Sequence, residues 1–343
     1  MRFETTPAPH LSVQASVSRL MRRVLWALLP AAAAHLWFFG PGLAFNITVA
    51  VVTALAAEAL MLRLRGRPIR PGLADGSAVL AAVLLAFALP PLTPWWITAT
   101  GSAFAMVVAK HLYGGLGYNV FNPAMAGYAV VLVSFPGQLA LWSLAAPGGL
   151  APPALDPAQT LAFTLTGRLP EQVTLDAITQ ATPLDALRSG LAQLQTLSEI
   201  RAAAPFGGPG EQAWLWINGL IALGGLWLLW TRAIRWHIPV AMLATLALLS
   251  AIAAAIDGDR FASPVLQLFS GAALIGAFFI ATDPVSAATT RVGRLLYGSG
   301  IGALVFAIRS WGGYPDGVAF AVLLMNLTVP LLDRHTRSRP FGT

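Results

Sequence analysis

The sequence predicts an all-α polytopic membrane protein with about ten transmembrane helices, arranged as two inverted five-helix repeats with one long external loop. Three observations carry this prediction: the composition, the spacing of the apolar segments and an internal repeat. Of the 343 residues, 57% are hydrophobic and 10% are charged, and the mean hydropathy is +0.70. These values lie outside the range of soluble domains, so the lipid bilayer is the expected environment.

The composition also excludes several classes of function. The 21 Lys and Arg stand in short clusters at the ends of apolar segments, which is typical of membrane proteins and argues against a nucleic-acid partner. The sequence has no cysteine, which excludes disulfides and cysteine-ligated iron–sulfur clusters. The five histidines lack metal or haem spacing, so we expect interface residues or hydrogen-bonded core residues. An electron carrier built on this chain needs an organic cofactor.

Ten apolar segments, separated by prolines, glycines or basic residues, are the predicted spans. They lie at about residues 24–40, 43–62, 76–90, 95–110, 123–141, 213–230, 238–256, 264–282, 296–308 and 318–332. The polar arm before the first is too long for a typical signal peptide, so we expect that span to be retained. Glu58 falls inside the second span, where a carboxylate is functional by default; near this end of the span the alternatives are that it extends to the membrane interface or pairs with the arginines of the following loop.

The positions of Lys and Arg orient these spans. With the N terminus in the cytoplasm, all but five of the 21 fall on the cytoplasmic side, the exceptions being Arg168, Arg188, Arg201, Arg260 and Arg309. The positive-inside rule then predicts a bacterial inner-membrane protein with cytoplasmic termini. The predicted parts are an N-terminal arm (1–21), a first repeat (22–141), an external loop (142–212), a second repeat (213–333) and a C-terminal tail (334–343).

An internal repeat supports the same layout. Residues 76–90 resemble residues 271–284, and in each copy a later proline, Pro123 or Pro315, opens another apolar segment. Five spans per half require the two copies to be inverted, and interrupted segments in such folds meet near the bilayer midplane to form the site. The candidate site residues are therefore Asn119, Asn122, Asp283 and Asp316. The alternative is that Asn122 and Asp316 only cap helices.

The external loop contains a polar segment, residues 176–185, centred on Thr182. Because Pro183 disfavours the helical conformation of the residue before it and suits a first helical position, we predict a short helix beginning there. Thr182 is its N-cap, Asp185 the other half of a capping box and Gly190 its stop. A plain N-cap is the simplest interpretation. A helix N-terminus also favours an anion, so a phosphate ester on Thr182 would be well placed.

Four stretches carry a family resemblance that covers essentially the whole chain. They are Phe121-Asn-Pro-Ala-Met, Ala281-Thr-Asp-Pro-Val-Ser-Ala, Gly293-Arg-Leu-Leu-Tyr-Gly and Tyr314-Pro-Asp-Gly-Val-Ala-Phe-Ala-Val-Leu-Leu-Met-Asn326. The chain resembles the membrane subunits of Rnf electron-transport complexes and, more distantly, those of the sodium-pumping NADH:quinone oxidoreductase. The resemblance implies a urea-channel-like fold and a role in relaying electrons across the membrane within a ferredoxin:NAD⁺ oxidoreductase, together with other Rnf subunits. It also implies coupled Na⁺ or H⁺ movement, for which Asp283 and Asp316 are the candidate carboxylates.

The motif Asp176-x-x-Thr179-x-Ala181-Thr182 resembles the acceptor motif of a periplasmic flavin transferase. The resemblance implies FMN joined to Thr182 through a phosphoester, with Asp176 and Thr179 read by the transferase. Acceptor motifs often have Gly before the alanine, where this chain has Gln180. By similarity, Asn119 and Asn122 are the candidates for binding a second, non-covalent flavin, riboflavin, near the cytoplasmic side.

Two other functions remain open at this stage. Inverted five-span repeats suit a small-solute channel or transporter equally well, and a scaffold without flavin would be consistent with Gln180. Flavin content separates the three, because a channel has no use for the acceptor motif. The sequence has no nucleotide-binding fingerprint and no iron–sulfur ligands. We therefore expect the chain to be one subunit of an oxidoreductase and not a complete enzyme.

Overall fold

The computed structural model describes residues 17–146 and 155–337. Within these ranges the secondary structure is helical apart from one antiparallel bridge between Ser143 and Thr179, so the all-α prediction is confirmed there. Most of the predicted N-terminal arm and C-terminal tail, and residues 147–154 of the predicted external loop, lie outside the described residues.

The described helices follow one another in three groups. The first group is α1 (Val17–Phe39), α2 (Gly42–Leu64), α3 (Ile69–Leu73), α4 (Ser77–Ala88), α5 (Trp95–Phe104, extended by a π-helical segment, Ala105–His111), α6 (Pro123–Ser134) and α7 (Pro136–Leu139). The middle group is α8 (Pro157–Thr166), α9 (Leu175–Ile178), α10 (Pro183–Ala192) and α11 (Leu197–Arg201). The last group is α12 (Pro209–Trp230), α13 (His237–Ile256), α14 (Pro264–Phe269), α15 (Ala273–Ile275, followed by a π-helical segment, Gly276–Ile280), α16 (Arg291–Trp311) and α17 (Val318–Thr336).

Among the described helices, α2, α12, α13, α16 and α17 are long and apolar enough to cross a bilayer. A span needs about 20 mostly apolar residues because the hydrocarbon core is about 30 Å thick. Large apolar side chains such as Val52, Trp216 and Leu248 remain exposed on these helices, as contact with lipid tails requires. The chain is therefore a multi-pass membrane protein. The count of ten spans and the inversion of the repeats stay predictions.

The predicted continuous span at residues 264–282 is wrong, because the structure breaks it. Helix α14 ends at Phe269, and the chain resumes as α15 after Gly271, whose φ of 63° lies in the left-handed region that favours glycine. The Asp316 carboxylate accepts a hydrogen bond from the backbone N–H of Ala272 at 2.6 Å. A broken helix at membrane depth is tolerated only where protein groups satisfy the free backbone atoms.

Asn218 donates to the carbonyl of Phe269 at 2.9 Å, and one arginine satisfies two further carbonyls at this break. Arg309, on α16, donates to the carbonyl oxygens of Gln267 and Ser270 and forms an ion pair with Asp316 at 3.1 Å. Its side chain is only 2% exposed. The break is thus held by residues far along the chain.

The two outer groups of helices pack against each other, with α1 along α12 and α6 against α17. The α1–α12 crossing is tight at Gly224, where an added Cβ would lie less than 3.0 Å from the carbonyl oxygen of Ala27. In the middle group, α10 is anchored by Leu184 and Leu187, which join a hydrophobic cluster with Leu266 of α14. The N-terminus of α10 is therefore fixed relative to the last group.

We expect Gly224→Ala to destabilise the protein by about 2 kcal/mol, because overpacking of a tight contact typically costs 1–3 kcal/mol. Gly219→Ala on the same helix is the matched control, since no described atom lies within 4 Å of a Cβ added there. Melting temperatures of both variants in detergent measure the difference. Equal melting temperatures would show that the α1–α12 crossing has room for the added methyl group.

Candidate functional site

Two cavities lie between the helix groups, and the predicted site residues are divided between them. The Thr182 cavity has a volume of about 330 Å³ and is lined by Thr182 and Asp316, among others. The Asn122 cavity has a volume of about 100 Å³ and is lined by Asn119, Asn122 and Asp283, among others. The Leu84 side chain lines both cavities. The sequence did not predict this division.

The acceptor motif has a defined backbone conformation before Thr182. The N–H of Leu144 donates to the carbonyl of Ile178 at 2.8 Å, and the N–H of Gln180 donates to the carbonyl of Trp142 at 2.9 Å. Asp176 and Ala181 are exposed on this segment, whereas Thr179 is half-buried and its hydroxyl donates to a backbone carbonyl one turn earlier. The motif can therefore be contacted by another protein without unfolding.

Thr182 is the N-cap of α10, as predicted. Its Oγ1 accepts a hydrogen bond from the N–H of Asp185 at 3.2 Å, and its hydroxyl donates to Oδ2 of Asp185 at 3.1 Å. The reciprocal half of the predicted capping box is wrong, because the Asp185 carboxylate binds this hydroxyl and not the Thr182 backbone. Gly190 is not the stop either, since α10 continues to Ala192. Glycine is needed there for packing, because a Cβ would clash with Ile200 of α11.

Groups of both charges lie near Thr182, the carboxyls of Asp185 and Asp316 and the guanidinium of Arg188. Burial raises the pKa of the Asp185 carboxyl, while the hydrogen bond from Thr182 and the charge of Arg188 act in the opposite direction. Arg188 also lines the Thr182 cavity, one turn along α10 from Asp185. The positive end of the α10 dipole and this guanidinium are the groups that would balance an ester phosphate on Thr182.

The interior of the Thr182 cavity suits a flat aromatic group. Trp142 and Trp214 meet edge to face with ring centroids 4.9 Å apart, and apolar side chains such as Phe87 and Ile221 complete the wall. Ligand pockets in proteins have volumes of about 300–1,000 Å³, so this cavity falls within the range. His35 also lines it, is 2% exposed and has no hydrogen-bond partner on either ring nitrogen among the described residues. The expectation of an interface residue or a hydrogen-bonded core residue is therefore wrong for His35, which is buried without a partner among the described residues.

Asp316 lines the Thr182 cavity, but its carboxylate is already engaged. It is paired with Arg309, accepts the N–H of Ala272 and accepts the N–H of Val318 at the start of α17. Its negative charge is balanced by the guanidinium, and its oxygens hold three parts of the chain together.

Asn119 and Asn122 are brought together in the Asn122 cavity. The side-chain oxygen of Asn122 accepts the N–H of Met125, which makes it the N-cap of α6, and its amide donates to the carbonyl of Ile280. The amide of Asn119 donates to the carbonyl of Phe121. The volume of about 100 Å³ is below that of usual cofactor pockets, so a flavin does not fit until side chains move.

Asp283 lies in the Asn122 cavity in a different environment from Asp316. Its carboxylate accepts hydrogen bonds from the Ser286 hydroxyl at 2.8 Å and the Val285 N–H at 3.1 Å. Among the described ion pairs none involves Asp283. It is thus a partly buried carboxylate without a cationic partner in the described part of the chain, beside a cavity.

A buried charge cluster beside the Asn122 cavity was not predicted as such. Glu58 forms an ion pair with Lys110, each side chain being 3% exposed, and Lys110 also donates to the Ser77 hydroxyl at 2.7 Å. The alternative in which Glu58 pairs with the arginines of the following loop is therefore wrong. The available signal was a pair of opposite charges, Glu58 and Lys110, near the predicted cytoplasmic ends of two predicted spans. In the structure α2 packs against the segment that carries Lys110.

Comparison with known proteins gives one consistent result. The chain matches the model of the NQR2, RnfD, RnfE family over residues 4–342. It is similar to proteins that are named as subunits of the ion-translocating oxidoreductase complex. The protein of Aliivibrio salmonicida is 49% identical and that of Citrobacter koseri 50% identical, each match covering 100% of this chain and 99% of the relative. The protein of Aeromonas hydrophila is 49% identical, with 99% of each chain covered.

Proposed function

This chain belongs to the NQR2, RnfD, RnfE family, and we propose that it is the RnfD component, the flavin-bearing membrane subunit of an Rnf-type ferredoxin:NAD⁺ oxidoreductase. In this proposal FMN is attached to Thr182, and the other subunits of the complex are its partners. One observation carries the proposal: an accessible acceptor motif ends at a helix N-cap that lines a cavity of about 330 Å³. The names of the relatives support the oxidoreductase assignment.

The attachment requires an activated flavin, because an alcohol does not esterify a free phosphate in water. The Thr182 oxygen attacks the FMN phosphorus of a flavin dinucleotide, and a nucleoside monophosphate leaves as the pyrophosphate bond breaks. The hydroxyl proton passes to the Asp185 carboxylate, to which that hydroxyl already donates. The chain gains the mass of FMN minus water. A periplasmic flavin transferase catalyses the step, so Thr182 lies on the periplasmic side of the inner membrane.

When bound, the isoalloxazine supplies the electron transfer, and the protein supplies position, a low dielectric and limited access for water. The tryptophan pair and the apolar wall of the Thr182 cavity provide the low dielectric. Helix α10 fixes the attachment point, because its apolar face packs on Leu266 of α14.

Asp176→Asn is expected to reduce flavin attachment at least tenfold without changing the melting temperature. The side chain is exposed and six positions before the attachment point, so its role in this proposal is recognition by the transferase. Glu171→Gln, at another exposed carboxylate shortly before the motif, is the control and should be attached normally. In-gel flavin fluorescence per mole of protein gives the comparison, and full attachment of Asp176→Asn would remove this role.

Coupled movement of Na⁺ or H⁺ is proposed to use the carboxylates Asp283 and Asp316. The absence of a cationic partner among the described ion pairs favours Asp283, whereas Asp316 is neutralised by Arg309. Asp283→Asn should therefore lower ion transport by the complex in proteoliposomes severalfold while flavin content stays constant. Unchanged transport in this variant would exclude Asp283 from the path.

A second flavin, riboflavin, is proposed for the Asn122 cavity, with Asn119 and Asn122 as its hydrogen-bonding residues. This proposal requires the cavity to widen on binding, because its volume is about 100 Å³. Riboflavin released on denaturation, and lost in Asn119→Ala, would support it. Denatured complex that releases no riboflavin would remove it.

A further inference from the structure

Three buried polar atoms of residues that line the Thr182 cavity have no hydrogen-bond partner among the described residues. They are Nδ1 and Nε2 of His35 and Oδ1 of Asn218. The two residues are 2% and 0% exposed. An unpaired buried polar atom costs about 1–3 kcal/mol, and most native proteins contain few. Three of them at one cavity indicate that the cavity binds a group with complementary donors and acceptors.

The orientation of the Asn218 side chain is fixed. Its amide nitrogen donates to the carbonyl of Trp214 at 3.1 Å and to the carbonyl of Phe269 at 2.9 Å, which uses both N–H groups. Only an amide nitrogen can serve two carbonyl oxygens, so the remaining atom is the oxygen, which can only accept. The ligand must therefore present a donor to Asn218.

His35 supplies the complementary group. A neutral imidazole has one donor nitrogen and one acceptor nitrogen. Its ring lies among the rings of Phe39, Phe87 and Trp142, with centroid distances of 5.0, 6.2 and 6.4 Å. None of these neighbours gives a hydrogen bond to either imidazole nitrogen. His35 is on α1 and Asn218 on α12, which pack along each other. Both residues adjoin the Trp142–Trp214 pair.

We propose that Asn218 and His35 bind the polar edge of the isoalloxazine carried by Thr182. The oxygen of Asn218 accepts a hydrogen bond from N3–H, the only N–H of the oxidised ring, and His35 donates to the ring carbonyl beside it. The inference rests on the proposed attachment of FMN. Because reduction by two electrons increases the negative charge of this edge, a donor there favours the reduced flavin. His35 is thus a positioning residue that raises the flavin potential.

The first test compares His35→Phe with His111→Phe in full-length protein loaded by the transferase. Phenylalanine keeps the volume of the side chain and removes both ring nitrogens. His111 is also buried and lines neither cavity, and its Nε2 lies 3.5 Å from the Glu58 carboxylate, so it is the control for the loss of a buried imidazole away from the Thr182 cavity. We expect His35→Phe to lower the equilibrium ratio of reduced to oxidised flavin at least tenfold. This change corresponds to a fall of about 30 mV in the potential of a two-electron couple. The flavin carbonyl stretch should also shift, and neither change should occur in His111→Phe.

The second test needs no variant of the protein. Wild-type chain loaded from N3-methyl flavin adenine dinucleotide carries a ring without the N3–H donor. On the protein, N3-methylation should change the flavin potential by more than it changes the potential of the free flavin in water. The extra change should correspond to at least a tenfold change in the equilibrium ratio of reduced to oxidised flavin. An equal difference on the protein and in water would overturn the contact with Asn218.

The outcomes also separate this inference from the proposed function. Attached flavin with an unchanged potential and carbonyl stretch in His35→Phe would overturn the role of His35 and leave the attachment intact. Wild-type protein without flavin on Thr182 would overturn the attachment, and this inference with it.

Discussion

Thr182→Ala should contain no covalently bound flavin, whereas Thr182→Ser should retain it. The reason is chemical, because alanine has no oxygen to form the phosphoester and serine keeps both the hydroxyl and the N-cap. Loss of the cap itself should cost about 1 kcal/mol, so the protein should still fold. A denaturing gel viewed under ultraviolet light, together with the melting temperature, separates loss of attachment from loss of structure.

Thr196→Ala provides the matched control for this variant. Thr196 caps α11 in the same middle group and also accepts the N–H of the residue three positions later, Glu199. Its loss should affect stability about as much as the loss of Thr182, but the gel band should stay fluorescent. A fluorescent band for Thr182→Ala would place the flavin on another residue.

Glu58→Gln should destabilise the protein by about 3–5 kcal/mol, the usual cost of removing one partner of a buried ion pair. The variant removes the one carboxylate that is paired with the Lys110 ammonium in the described part of the chain, and that ammonium stays buried, with its side chain 3% exposed. We expect a large fall in the melting temperature in detergent and reduced amounts in the membrane.

The double variant Glu58→Gln/Lys110→Met is the control for this effect. It removes both charges, so no uncompensated charge is buried, and most of the lost stability should return. A single variant as stable as the wild type would mean that water reaches the pair. A double variant no more stable than the single one would mean that packing, and not charge, accounts for the loss.

The local features of the site follow from neighbouring residues, which is why the sequence could predict them. The Thr182-Pro183 step sets the start of α10, and Asn122-Pro123 sets the start of α6 in the same way. The length of the apolar segments likewise located the five long helices, although both ends of α16 lie several residues outside the predicted span.

The long-range features could not be predicted, because they depend on residues distant in sequence. The break at residues 270–272 exists because Arg309 and Asp316 satisfy its backbone, and Arg309 entered the prediction only as a charge. The partner of Glu58 is on another helix. The unpaired state of His35 depends on which rings surround it, so no local pattern contains that information.

Covalent attachment of FMN to Thr182 is tested most directly by mass spectrometry of the tryptic peptide of residues 169–188, from protein produced together with its flavin transferase. This peptide contains the whole acceptor motif, since the chain has arginine at positions 168 and 188 and no Lys or Arg between them. We expect a peptide heavier by FMN minus water, with fragment ions placing the added mass on Thr182. An unmodified peptide from a dark band would contradict the attachment, and the channel or flavin-free scaffold would then be the better description of this chain.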